Sequence, residues 1–595
     1  MIATDIQQLM ENTYSHQAAV RMVKDQIPDE LIQVIADIAT NIEPKYATQA
    51  RRWTELQQQD LEEFALNVWA AILQINVPIT LTAMVGQIRG YFPGTPLEAV
   101  KTAGELLYFL AEKDYLDFTR GVDNQWVVES TIELDEDTRG KLDRVRYMPP
   151  MLCVPKPLKK WNDSPYLSIR TSGVILNNYN RNGDGLNYCL DHLNALNQQP
   201  LHLNVEFLQK YQQAMPEDRE QARFLKDTWE VACSLINNGN TFYLTHDYDK
   251  RGRTYAHGYH INYQGDSYHK AMIDVEPEYL TEEGEMWLKV DIANHFGLDK
   301  ENFEVRLAWF HRNSHQLEDM VDQADEPALY FKAVLAYRDH QAGLPVSHPV
   351  RLDACASGAQ IQGVLTRCWT TCEAVGLIGD QRKDIYSELL KHMSKANCGY
   401  TRKDIKDATV PYFYASTSKP DEVFGDDVGL YYQAVIKALP AVPEYISLFL
   451  EAWPAYALEY HVTAPDGFDM VIPVMQRKDH RVELPDGSSF THVLRHNEGK
   501  ETGLSIVANA THMLDGWVVR RMKANCPFTL LTNHDCFGAH PNHMTHVAQQ
   551  YLDCLVWLAE NDVLEDIAAQ LGVNIAVPKD PEFVETIKQS KYHLS

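Results

Sequence analysis

At 595 residues the chain is too long for one compact core, and 45 % hydrophobic residues supply apolar material for several subdomains, which excludes a disordered polymer. Its ten cysteines, at 153, 189, 233, 355, 368, 372, 398, 526, 536 and 554, include no C-x-x-C pair and no zinc spacing, which argues against a disulfide scaffold or zinc ribbon and for a reducing cytoplasm. A formal charge of −28 opposes nucleic acid binding at first sight, because affinity for a polyanion comes from Lys and Arg; net charge is only an average, however, and the cations gather locally.

The N-terminus, MIATDIQQLMENTYSH, lacks the basic start and apolar run of a secretory signal and is too acidic for a mitochondrial transit peptide. An uncharged stretch from Phe64 to Ile88 has the length of a membrane span but not the content, since Asn67, Gln74, Asn76, Pro78, Thr80, Thr82 and Gln87 interrupt it. LEEFALNVWAAILQ and PLEAVKTAGELLYFLAEKDY place apolar residues at three- and four-residue spacing and predict helices; YLDFTRGVDNQWVVE predicts a hairpin turning near Gly121 to Asn124. Helix, helix and hairpin fit either a winged helix on DNA or a helical cap on the core, and the cap is the plainer reading because no basic recognition helix is visible. Charged TIELDEDTRGKLDRVR and proline-rich MPPMLCVPKP then mark a boundary, giving a small, mainly helical domain 1–145 and a larger α+β part 146–595.

Three later segments carry chemistry. In VRLDACASGAQIQGVL an apolar lead-in ends at Asp353 and small residues follow, as where a strand delivers a carboxylate to a crowded site. In the next, Arg402, Lys406 and Tyr414 stand at offsets of four and eight, which predicts one helix face. In FTLLTNHDCFG the run Phe528 to Thr532 predicts a strand, with His534-Asp535 at its end before Gly538, where a hairpin would bring Asp535 beside Asp353. Two carboxylates around a basic helix suit nucleotidyl transfer, which needs two Mg²⁺ ions on acidic ligands and cations on the departing pyrophosphate. Further basic groups lie at Lys250, Arg251 and Arg253 and at Arg520, Arg521 and Lys523.

These segments resemble motifs A, B and C of the single-subunit, phage-type RNA polymerases, the family that includes the mitochondrial enzymes. HDYDKRGRTYAHGYHINYQGD, EGEMWLKVDIANHFGLDK, DIYSELL, HVTAPDGFDM, ATHMLDG and terminal SKYHLS are similar to family elements in the same order, from about residue 145 to the end. The resemblance implies a right-hand polymerase of palm (about 240–395 and 440–595), fingers (about 396–440) and thumb. It implies two Mg²⁺ on Asp353 and Asp535, and Arg402 and Lys406 on the nucleoside triphosphate, with Lys406 also placed to protonate pyrophosphate. Tyr414 and His512 would stand at the ribose, and Arg253, Tyr255, Tyr386 and His534 at the DNA template or RNA product. The family's Met-Thr and Tyr-Gly pairs are Val410-Pro411 and Tyr414-Ala415 here, so Pro411 is expected to kink the fingers helix and Ala415 to narrow the nucleotide site.

The N-terminal region is reduced, and RKDHRVELPDGSSFTHVLRHNEGKE, a hairpin turning at Pro485-Asp486-Gly487, stands short where the family has its specificity loop. An accessory promoter-recognition or single-stranded-DNA-binding protein is therefore expected as a partner, in the cytoplasm of a phage-infected bacterium, with no membrane association. Three rival readings are a DNA polymerase on the same palm, a zinc hydrolase using His534, Asp535, His540, His543 and His546, and a catalytically dead binding module.

Overall fold

The computed structural model describes residues 3–14, 16–75, 77–145, 147–176, 183, 185–394 and 399–595, so Cys398 lies outside it. The chain is α+β and divides into two compact units: Gln8–Pro149 with Met475–Glu498, and Pro150–Val474 with Gly499–Ser595 and the residues up to Gln7. The nine described cysteines are all free, and no described helix is long and apolar enough to cross a membrane.

In the first unit the Thr95-Pro96-Leu97-Glu98 sequence starts a helix in a standard way. Pro96 occupies the first turn, where its missing N–H costs nothing, and Thr95 and Glu98 cap each other's backbone N–H groups. The helix runs Pro96–Glu112 and buries Ala99, Val100, Ala103, Leu106, Leu107 and Leu110. Its buried Glu105 accepts from Arg52 at 2.6 Å and from the Trp53 indole at 2.7 Å, so the charge is paired and the helix is fixed to Ala47–Gln57. The hairpin that follows, Leu116–Arg120 with Trp126–Ser130, turns where expected: Gly121 and Gln125 bond across it, and Asn124 takes the left-handed conformation at φ 57°.

One strand escaped the sequence pattern. Ile79–Thr80 pairs with Trp126–Ser130, giving the sheet order 79–80, 126–130, 116–120. Helix Leu61–Leu73, this strand, helices Leu81–Ile88 and Pro96–Glu112, and the hairpin together have the winged-helix arrangement. The Ile79–Thr80 strand was not legible in the sequence, because two residues are too few to show a period. The third helix, Pro96–Glu112, is not basic, and most of it is buried. The uncharged 64–88 stretch is thereby divided among two helices and a strand.

The 475–498 segment, expected within the palm part at 440–595, packs in this first unit. Met475–Glu483 and Ser489–Asn497 form a hairpin around Pro485-Asp486-Gly487, with Gly487 at φ 85°. Alternation puts Val482, Leu484, Phe490 and Leu494 on one face, and they join the apolar core of the helices. Gly104 of the Pro96–Glu112 helix is required there, since a Cβ would lie 2.9 Å from the Phe490 ring.

In the second unit a three-stranded antiparallel sheet runs Leu531–Asn533, Cys536–Ala539, Val350–Asp353, in register Cys536 to Asp353 and Phe537 to Leu352. Val350, Leu352, Phe537 and Ala539 are buried in the main core. Helix Ser357–Leu365 follows the last strand and is buried at all nine residues; its Gln362 amide donates to the Phe413 carbonyl at 2.8 Å, tying it to the end of helix Arg402–Tyr412. That second helix is opened by a Thr401/Asp404 capping box.

Candidate active site

Asp353 ends its strand, and the chain then turns through Ala356, at φ 60°, into the buried helix. The 531–539 hairpin turns on His534 and Asp535, with His534 left-handed at φ 58°, and the Asp535 carbonyl accepts from Ala354 N–H at 3.1 Å. The hairpin thus sets Asp535 beside Asp353, and both line one cavity of about 280 Å³. The Asp353 side chain opens on the cavity yet lies deep in the protein; poor solvation first, and the Asp535 charge second, raise it well above the carboxylate range, against Lys270, Lys406 and Arg382. Two adjacent carboxylates of which one resists ionising form an oxygen donor set suited to a hard divalent cation such as Mg²⁺.

Arg402, Lys406, Tyr386 and Tyr414 line the same cavity, with Arg382 and Asp384. Arg402 is held by Asp384, Nε at 2.6 Å and Nη2 at 3.0 Å, and its guanidinium lies 5.4 Å from the Tyr386 ring centre. Tyr414 arrives by a different route from the expected helical offset of eight. The helix ends at Tyr412, one residue after Pro411; Pro411 therefore sits in the last turn and does not kink the middle. Its carbonyl accepts from Tyr414 and Ser416 N–H, and Ala415 takes φ 63°, the conformation that favours a glycine, so a tight turn presents Tyr414.

Helix Ser505–Asn525 stands beside Tyr414. His512 stands 4.5 Å from Tyr414, ring centre to ring centre, and its Nδ1 accepts from Arg251 Nη1 at 2.6 Å, which leaves Nε2 as the protonated donor. Burial, then Arg253 and Arg251, hold His512 down to about 2, so it stays neutral; burial likewise pushes the Tyr414 hydroxyl up to about 12. One turn along, buried Asp515 pairs with Arg253, while Arg251 bonds Asp249 and Arg520 bonds Asp466. Tyr255 donates to Asp249 at 3.4 Å and meets His534 edge to face at 5.2 Å. Three of the six cations in these two clusters, Arg251, Arg253 and Arg520, are thus engaged by carboxylates.

Gly252 and Gly516 let the 249–255 turn lie against this helix: the Gly252 carbonyl is 2.3 Å from where a Gly516 Cβ would be. Gly516→Ala is expected to destabilise the protein by about 3 kcal/mol and to displace Arg253, measured by urea unfolding; an unchanged midpoint would contradict the close approach.

Beside the cavity, His295 is buried between Asp291 (3.3 Å) and Glu326 (2.8 Å), and His348 bonds Asp291 at 2.7 Å. Burial alone would lower His295, but Asp291 and then Glu326 outweigh it and raise it to about 9. A raised histidine contributes stability that is complete below its unfolded value of about 6.5 and is lost as pH rises through 9, here up to about 3 kcal/mol. Unfolding free energy is expected to fall between those pH values in the native chain and to stay flatter in His295→Gln.

The histidines of the hydrolase reading do not converge. His546 bonds the Asn525 carbonyl, and His534 faces Tyr255. Only Glu278, His540 and His543 cluster among the described residues, and both His540 nitrogens are engaged, by the Val346 carbonyl and the Asn542 N–H. Sequence reasoning missed Asp384 and Asp515 as partners of Arg402 and Arg253. The three-residue spacing of His512 and Asp515 puts them on one helix face, which was a usable signal for the second; the separation of 18 positions from Asp384 to Arg402 gave none for the first.

Residues 278–410 match the family described as DNA-dependent RNA polymerase, a span that holds Asp353, Tyr386, Arg402 and Lys406. A probable DNA-directed RNA polymerase of Gelasinospora sp. (strain G114) is 23 % identical over 430 residues, 58 % of this chain and 51 % of that protein. One from Neurospora crassa is 31 % identical over 175 residues, 27 % and 20 % of the two chains. The mitochondrial DNA-directed RNA polymerase 1 of Arabidopsis thaliana is 30 % identical over 224 residues, 30 % and 23 %. The alignments span about half or less of these relatives, and none of the three places the chain in a phage-infected bacterium.

Proposed function

We propose that this chain, a relative of the single-subunit, phage-type DNA-dependent RNA polymerases, is itself a DNA-directed RNA polymerase. The observation that carries the reading is the meeting of Asp353, Asp535, Arg402, Lys406 and Tyr414, from three distant segments, around one cavity. In this reading the second unit is the palm and fingers of a right hand, with Arg402–Tyr412 as the fingers helix.

The reaction joins an RNA 3′-oxygen to the α-phosphorus of a nucleoside triphosphate while the bond to the bridging oxygen breaks and pyrophosphate leaves. Asp353 and Asp535 would hold two Mg²⁺, which when bound supply charge neutralisation and a more acidic attacking hydroxyl. Arg402 and Lys406 bind the triphosphate, and Lys406 delivers a proton to the departing pyrophosphate. His512 offers its Nε2–H, and Tyr414 its hydroxyl, to the ribose 2′-oxygen; a deoxyribose leaves those buried donors unpaired, the basis of strong discrimination. Tyr386, His534, Tyr255 and Arg253 line the path of template and product. The paired rings of Tyr414 and His512 favour this enzyme over the rival DNA polymerase.

Primer extension on an RNA–DNA scaffold with Mg²⁺, comparing ribo- with deoxyribonucleoside triphosphates, tests the proposal. Template-dependent ribonucleotide addition is expected; preference for deoxyribonucleotides would make it a DNA polymerase, and no addition a dead module. We expect little transcription from linear, fully duplex promoter DNA by the pure protein, with an accessory protein or single-stranded template restoring it; run-off synthesis from duplex alone would overturn that expectation.

A further inference from the structure

Within the second unit, His540 and His543 have a use that hydrolysis does not require. The short turn Pro541–His543 brings both imidazoles to Glu278, whose backbone pairs with Val346 through hydrogen bonds of 2.9 and 2.8 Å. Glu278 Oε1 lies 2.8 Å from His543 Nε2, and Glu278 Oε2 lies 3.8 Å from His540 Nδ1. One ligand atom from each of the three residues falls within 4.8 Å of the others. Donors held tetrahedrally about 2.0–2.1 Å from a zinc ion stand about 3.4 Å apart, inside the range found here.

The surrounding hydrogen bonds fix which atoms carry lone pairs. His540 is buried, and its Nε2 donates to the Val346 carbonyl at 2.9 Å, so Nδ1 is an acceptor. That lone pair is turned toward the Glu278 carboxylate, and an acceptor facing a carboxylate is a place for a cation. The Asn542 N–H reaches Nδ1 at 3.2 Å, a long bond that an ion would replace. The outer contacts are those that orient metal ligands. The Val346 carbonyl holds His540, the Asn542 amide donates to Glu278 Oε2 at 3.2 Å, and the His543 ring lies flat on Phe528, centres 4.2 Å apart and planes 8° from parallel. The His540 side chain is 3 % exposed and that of Glu278 39 %, so the site is closed on one side and admits an ion, with a water ligand, from the other.

We propose that Glu278, His540 and His543 bind one zinc ion that clamps together the far ends of the strands presenting Asp353 and Asp535. Those strands pair from Cys536–Asp353 to Ala539–Val350. His540 follows Ala539 directly and Val346 precedes Val350, so the ion would sit at the opposite end of the pair, about 10 Å along the strands from the carboxylates. Two imidazole nitrogens and a carboxylate suit Zn²⁺; Mg²⁺ prefers oxygen donors and its own waters. On binding, His543 gives up the Nε2 proton that now bonds Glu278 and carries a proton on Nδ1 instead. The clamp is separate from the two Mg²⁺ of the proposed reaction and does not depend on that reading, because it stabilises the sheet whatever the cavity does.

The test is calorimetric titration of the chelator-stripped full chain with Zn²⁺, in an Asp353→Asn/Asp535→Asn background so that the cavity carboxylates do not compete. One ion per chain is expected, with a melting temperature that rises with free Zn²⁺ and is unmoved by Mg²⁺ at the same concentration. His543→Ala and Glu278→Gln alter partly exposed side chains and should fold. Each is expected to weaken Zn²⁺ binding by more than the about 100-fold that losing an outer partner of a metal ligand can cost, and to abolish the rise in melting temperature. Co²⁺ in place of Zn²⁺ should give the strong visible absorption of a four-coordinate ion, lost in both variants. No binding by the parent chain, undiminished affinity in either variant, or a weak six-coordinate Co²⁺ spectrum would overturn the proposal.

Discussion

Asp353→Asn and Asp535→Asn are each expected to lower templated nucleotide addition by about three orders of magnitude or more, with template binding retained. The reason is in the hairpin: the Cys536–Asp353 register and the bond from Ala354 N–H to the Asp535 carbonyl fix the two carboxylates side by side, so neither can replace the other. Folding should not suffer. Because Asp353 is raised, its ionisation opposes the folded state as pH rises above the usual carboxylate range. In chelator at pH 8 the Asp353→Asn chain should therefore unfold at the same temperature as the native chain or a higher one, and the difference should vanish near pH 4. Loss of activity with a lower melting temperature at both pH values would mark Asp353 as a structural residue, and undiminished extension would remove it from the site.

Lys406→Ala should act on turnover and Arg402→Ala chiefly on nucleotide affinity. Lys406 faces the carboxylate pair with no ion-pair partner among the described residues, so its charge and protons are available as pyrophosphate leaves; losing both is expected to reduce kcat by about 10²- to 10³-fold. Arg402 is already bonded to Asp384 through two nitrogens, so the triphosphate must share or displace that bond. Its removal also leaves the Asp384 carboxylate without its guanidinium, and a nucleotide KM raised by about tenfold or more is expected, partly relieved in Arg402→Ala/Asp384→Asn. Pre-steady-state single-nucleotide addition separates the two effects. If Lys406→Ala changes KM alone, the lysine binds nucleotide and another group protonates pyrophosphate.

Local chemistry made much of this legible beforehand. Gly121 to Asn124, Pro485-Asp486-Gly487 and His534-Asp535 all turn where their residue types predicted, because left-handed or capped turns depend on a few adjacent residues. The offset of four between Arg402 and Lys406 held because one capped helix contains both. The offset of eight to Tyr414 did not: Pro411 and the helix end came between, and only the tertiary bond from Gln362 to the Phe413 carbonyl fixes where that turn lies.

The sequence by itself determined that the chain is α+β, where its acidic and basic chemistry lies, and which family it resembles, since these depend on residue type and spacing along the chain. The tertiary structure decided that Ile79–Thr80 completes a winged-helix sheet and that 475–498 packs with residues far ahead of it. It also decided that Arg253, Arg251 and Arg520 are held by carboxylates. Each of these is a pairing over long sequence separation, and charge and apolar alternation say that a partner exists without saying which segment brings it.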